Sequence, residues 1–217
     1  NYQDGFKYSE GEEREWTQTL DWQINDNHEM VSGLTLERFH SIPKTVDLSR
    51  PFNPNRSVND QGLFYANTND QIPVNIFDVN YHNAGVYAQF KSRWQGELTS
   101  VLGARYDKSS NYGSTFNPRL GLIYQLRNDL TLKLMHGEAY LAPSAFQSYQ
   151  HFGSFSSQRE DGLYQSFFFH LPNENLKPEE ITTTEWLADW RASDSLNLTL
   201  SIYHQQLDNL ITERATP

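Results

Sequence analysis

The sequence predicts an all-β protein: an antiparallel up-and-down sheet of the transmembrane-barrel type, with about eight strands that each cross a bilayer. Three observations predict it. Apolar and polar residues alternate with a period of two rather than 3.6 in run after run. Most of these runs approach ~10 residues, enough for a tilted strand to cross a bilayer and about twice the usual strand length. Tight Asn/Asp/Gly/Ser turns alternate with long polar connections, which puts turns on one rim and loops on the other.

Taken in order, the first run places Trp16, Leu20, Trp22 and Ile24 on one face, opposite Thr17, Thr19, Asp21 and Gln23. The second sets Met30, Ser32, Leu34 and Leu36 against Val31, Gly33, Thr35 and Glu37. The third sets Val86, Ala88, Phe90 and Trp94 against Tyr87, Gln89, Lys91 and Arg93. The fourth carries Leu98, Ser100, Leu102, Ala104 and Tyr106 opposite Thr99, Val101, Gly103, Arg105 and Asp107. The fifth carries Leu120, Leu122, Tyr124 and Leu126 opposite Arg119, Gly121, Ile123 and Gln125, and the sixth Leu130, Leu132 and Leu134 opposite Thr131, Lys133 and Met135. The seventh opposes Trp186, Ala188 and Trp190 to Glu185, Leu187, Asp189 and Arg191, and the eighth opposes Leu196, Leu198, Leu200 and Ile202 to Asn197, Thr199, Ser201 and Tyr203. Tight turns are expected at 25–28, 95–96, 127–129 and 192–195, and irregular polar segments at about 41–80, 108–117 and 142–179.

Composition narrows the function. The net charge is −10, with 27 acidic against 17 basic residues, and argues against nucleic acid as a partner. Cysteine is absent, so neither a disulfide framework nor a thiolate metal site is available. No run of eighteen apolar residues exists, which excludes a transmembrane helix but not a spanning strand. Five Trp, twelve Tyr and thirteen Phe are far too many for a disordered chain. His-Glu-x-x-His and Gly-x-Ser-x-Gly are both missing, and His136-Gly137-Glu138 lies on an expected strand without a third ligand, so no enzyme, cofactor or resident metal is expected.

Alternation alone also fits a soluble sandwich, and with it a secreted carbohydrate-binding module whose aromatic loop stacks on sugar rings. Strand length favours the barrel. So do Trp16, Trp94, Tyr124, Trp186 and Trp190, which fall on the apolar face near expected strand ends as interfacial girdles would. Lys91, Arg93, Arg105, Arg119, Lys133, Glu185, Asp189 and Arg191 lie on the opposite face, as suits residues lining a hydrated lumen.

Two segments carry a family resemblance. Asn117-Pro118-Arg119-Leu120-Gly121-Leu122-Ile123-Tyr124 leads into a strand ending His136-Gly137-Glu138-Ala139-Tyr140-Leu141-Ala142-Pro143-Ser144. Further on come Asn173-Glu174-Asn175-Leu176-Lys177-Pro178-Glu179, Thr184-Glu185-Trp186-Leu187 and a tail from Leu196 to Ile211. In wording, order and spacing this resembles the barrel of TonB-dependent outer-membrane receptors, although Tyr140-Leu141 replaces the family's Phe-Arg and Glu174 its Pro. The resemblance implies ~22 strands around a plug, so residues 1–217 are read as a partial barrel domain without the plug. It further implies a receptor in the bacterial outer membrane that takes up a large scarce nutrient with energy supplied through TonB. A ferric siderophore leads as cargo, ahead of haem or cobalamin, with lipid and lipopolysaccharide surrounding the barrel. Cargo contact is expected in segment 142–179 and at its root, through Tyr140, Phe146, Tyr149, His151, Phe152, Tyr164, Phe168 and His170. His151 and His170 would act as iron ligands only if the cargo is haem.

Overall fold

A computed structural model describes residues 9–43, 77–94, 96–150, 152–158, 164–170 and 172–213, giving the backbone alone for 152–158 and 164–170. The strands are β1 (Glu10–Asn25), β2 (His28–Ile42), β3 (Val79–Trp94), β4 (Leu98–Ser109), β5 (Gly113–Arg127) and β6 (Leu130–Leu141). A short helix α1 (Ala145–Tyr149) follows, then β7 (Phe152–Gln158), β8 (Tyr164–His170), β9 (Glu179–Ser193) and β10 (Leu196–Asp208). Eight strands form one sheet in the order β1-β2-β3-β4-β5-β6-β9-β10, while β7 and β8 pair separately. The chain divides into two compact units, one of residues 1–14, 38–81 and 143–176, the other of 15–37, 82–142 and 177–217.

All eight expected strands are present, joined by the expected tight turns, and Gly96 takes the positive φ of 78° that its turn requires. Two expectations are corrected. The segment 108–117 is largely strand, because β4 runs to Ser109 and β5 begins at Gly113, whose φ is 93°. Past the lipid a strand needs no apolar outer face, so the hydrophobic alternation fades while the hydrogen-bonded ladder continues. The segment 142–179 is not irregular throughout, since it holds α1 and the β7–β8 hairpin. Ser144 caps α1, with its hydroxyl accepting from the Gln147 N–H while the Gln147 side chain accepts from the Ser144 N–H. Of segment 41–80, residues 44–76 lie outside the described residues.

Directly paired residues share a face, and the registers sort the sheet into one apolar and one polar side. Leu20, Leu102 and Leu200 are 57%, 53% and 62% exposed, and among the described apolar residues only Ile42 and Ala145 are buried. A soluble sandwich would hide such a face. Among the described residues there is no dry core to hide it in.

The upper edge of the apolar side slopes. On β3, β4 and β5 it reaches Val86, Tyr106 and Phe116, which form one hydrogen-bonded row. On β6, β9 and β10 it stops at Leu134, Trp186 and Ile202, the row of Leu122. That is a drop of six residues along β5, about 20 Å at ~3.3 Å per residue, over five strand spacings of ~4.8 Å. The slope is about 40°, the tilt at which strands cross a membrane as a barrel wall.

Trp16 and Trp186 are corrected in one respect: both lie in mid-strand, since β1 and β9 begin well before them. Each is nevertheless the last apolar residue on its face, followed outward by Arg14 and Thr184. At the turn rim, Trp94 Nε1 donates to Ser100 Oγ at 2.9 Å and Trp190 Nε1 to Asp129 Oδ2 at 3.1 Å, as suits indoles with one wet end.

Candidate functional site

The polar face carries all eight predicted charged residues. The register Tyr87↔Arg105, Gly103↔Arg119, Lys91↔Val101 and Thr99↔Arg93 places the cations of β3–β5 on one side. The pairs Ile123↔Lys133, Met135↔Glu185, Thr131↔Asp189 and Asn197↔Arg191 continue that side to β10.

Most of these charges are engaged across strands. Lys133 Nζ donates to Asp189 Oδ2 at 2.8 Å, and Thr199 Oγ1 donates to the same carboxylate at 2.9 Å. Ser201 Oγ donates to Glu185 at 2.6 Å, Lys91 approaches Glu29 at 3.4 Å, and Arg191 donates to the Asn128 carbonyl at 3.3 Å. Arg105 grips Asp107 through Nε and Nη2 at 2.6–2.9 Å and lies 5.9 Å from the centre of the Tyr87 ring. Arg93 and Arg119 have no side-chain partner among the described residues. Arg119 lies over Gly103, where a Cβ would meet its Cγ at 3.0 Å. Together with Lys133 and Glu185 it lines an open hollow of about 500 Å³ that also takes in Val101, Ile123 and Met135.

Of the predicted cargo contacts, Tyr140 is the penultimate residue of β6, with its ring 6.2 Å from Tyr112 in the β4–β5 turn. The sequence reading missed Tyr112, because nothing local shows that its turn meets the end of β6. Burial pushes the Tyr112 phenol well above its ordinary 10, and the hydrogen bond to Tyr140 acts in the same direction. The folded state therefore favours the neutral phenol. That stability is complete below about pH 10 and is lost above it, as the unfolded phenol ionises first. Between about pH 8 and about pH 11 the unfolding temperature of the wild type should fall further than that of Tyr112→Phe; calorimetry on the full-length protein in detergent checks this.

Phe146 and Tyr149 sit on α1. Phe146 is 49% exposed, and the Tyr149 ring lies 5.3 Å from Phe77. Burial raises the Tyr149 phenol, as does the nearby Glu174 carboxylate. Phe152, Tyr164, Phe168 and His170 fall on β7 and β8, where the backbone register pairs Phe152 with His170; their side chains, and His151, lie outside the described residues.

Comparison with known proteins agrees with this geometry. The family profile "TonB dependent receptor-like, beta-barrel" matches residues 1–217. The ferrienterobactin receptor of Escherichia coli (strain K12) is 28% identical over 178 residues, covering 72% of this chain and 24% of that protein. The siderophore receptor PirA of Acinetobacter baumannii superposes with a TM-score of 0.60 at 16% identity, over 93% of this chain and 27% of that one. A variant of the ferric enterobactin receptor PfeA of Pseudomonas aeruginosa gives 0.62 at 14% identity, over 92% and 27%. Both likenesses are of fold. The chain spans about a quarter of the length of these proteins. With its tilted strands, apolar outer band and short turns, it belongs to the TonB-dependent receptor β-barrel family and forms barrel wall in the bacterial outer membrane.

Proposed function

We propose that this wall belongs to an active-transport receptor that takes up a ferric siderophore, with energy arriving through TonB. The 28% identity to a ferrienterobactin receptor carries the reading. The two faces of the sheet fit it. The apolar side meets acyl chains, and the polar side lines the lumen through which cargo passes. There Lys133–Asp189 ties β6 to β9, while Arg105–Asp107 is a grip within β4. Arg93 and Arg119 are left to face the passage or a plug within it. No bond is made or broken, and the loop-side aromatics Phe146 and Tyr149 supply stacking surface for the chelate.

In the full-length receptor, ferric enterobactin should quench tryptophan fluorescence with saturation. Phe146→Ala combined with Tyr149→Ala should weaken binding about tenfold, as expected for lost aromatic contacts. Unchanged affinity in the double variant would remove α1 from the site. Absence of binding by any ferric siderophore, with saturable binding of haem or cobalamin instead, would overturn the cargo.

A further inference from the structure

We propose that the loop-side end of the β4–β5 hairpin is a hinged panel of the wall, latched to β6 by Tyr112 and Tyr140 and able to part from it above Pro118. The inference rests on the strand ladders and not on the cargo. The ladder between β5 and β6 ends at Arg119↔Gly137. Its neighbours run on: β4 pairs with β5 as far as Ser109↔Gly113, and β6 with β9 as far as Leu141↔Glu179. Residues 113–118 of β5 and 138–141 of β6 therefore lie beyond the last rung between them, and among the described residues no backbone pair joins the two stretches.

The cause is local. Gln125 donates its N–H to the Glu97 carbonyl, on the β4 side, at 2.8 Å. In an antiparallel sheet successive residues of a strand turn their N–H and C=O to opposite neighbours. The register of β5 on β4 is unbroken from Tyr124 to Gly113, so the even-numbered residues of that stretch turn to β6, Pro118 among them. Proline has no N–H to give, and the ladder stops where its rung would fall.

Each side of this seam is otherwise well tied. Ser110 N–H donates to the His82 carbonyl and His82 N–H to Ser110 Oγ, both at 3.0 Å, which fastens the β4–β5 turn to β3. On the other side β6, β9 and β10 are paired through to their loop-side ends. Across the seam Tyr112 reaches Tyr140, with ring centroids 6.2 Å apart and the phenols hydrogen-bonded. A ladder must be undone rung by rung, whereas a pair of side chains is a single reversible fastening. Releasing it lets β5 swing from β6 about Pro118 and Gly137 and widens the loop-side rim, while the rungs below stay closed.

The test uses the full-length receptor in nanodiscs and a cysteine-free background, with spin-label pairs read by double electron–electron resonance. Phe116→Cys with Gln206→Cys spans the seam over three strand spacings, about 15 Å. Leu122→Cys with Ile202→Cys spans the same strands below it. Both pairs should show a dominant short distance in the otherwise unchanged protein. Tyr112→Phe and Tyr140→Phe should each raise the population of a longer distance across the seam about fivefold, as loss of one hydrogen bond implies, and leave the lower pair as it was. Pro118→Ala, which supplies the missing N–H, should return the Tyr112→Phe protein to the short distance. Unchanged seam distances in both phenylalanine variants overturn the proposal. So does an equal change in the lower pair, which would mean a general loosening of the wall, and so does a longer distance that survives Pro118→Ala.

Discussion

Leu102→Arg in the middle of β4 is expected to cost about 2–4 kcal/mol of folded-state stability in a bilayer, the depth-dependent penalty for a cation on the lipid face of a barrel. Leu102 is 53% exposed, and its row partners Phe90 and Leu120 are apolar, so the new guanidinium would find only acyl chains around it. Water is the wrong solvent for reading this position. In water an exposed leucine is a mild liability and arginine an improvement, whereas in lipid the order reverses. Refolding the full-length protein into vesicles and titrating with urea measures the difference. Leu102→Phe serves as a control and should stay within about 1 kcal/mol of wild type. If Leu102→Arg folds into vesicles as stably as wild type, that face does not meet lipid.

Gly33→Val should cost about 1–3 kcal/mol through overpacking. A Cβ at Gly33 would stand 2.5–2.7 Å from the far edge of the Tyr87 ring. The edge of the ring covers the glycine, with its hydroxyl 3.3 Å from Thr19 Oγ1 and the Arg105 guanidinium over its face at 5.9 Å. Valine would lift it off both. The decisive measurement is a double-mutant cycle. In a Tyr87→Ala background the cost of Gly33→Val should fall below about 0.5 kcal/mol, because the obstacle is gone. A cost that persists without the ring would place the strain elsewhere.

The wall is legible in the sequence wherever lipid dictates it. Between Trp16 and Ile24, or Leu98 and Tyr106, every second side chain but one (Gln18 in the first run, Ser100 in the second) is apolar, and period two follows. Beyond the lipid that requirement lapses. Strand residues such as Lys108, Ser114 and Glu180 alternate nothing visible, and the outer ends of β1, β4, β5 and β9 went unread. The β7–β8 hairpin was hidden as well, since a pair that does not belong to the eight-stranded sheet need not share its period of two, and Phe167-Phe168-Phe169 shows none.

The charged face could be read from alternation, residue by residue, but its pairings could not. Lys133 and Asp189 are 56 positions apart, and only the register of β6 on β9 brings them together. Arg105 and Asp107 are the exception. Two positions apart on one strand, they share a face by necessity, and their grip was open to prediction.

The slanting upper edge of the apolar band changes what depth means in this protein. Leu120 and His136 are direct partners across β5 and β6, yet one borders greasy residues while the other bonds to Thr184 Oγ1 at 2.9 Å, just past the last apolar row. Each rung of the ladder is therefore a ramp through the bilayer. A probe moved sideways along a rung, strand by strand, should rise from hydrocarbon towards bulk solvent without leaving its row.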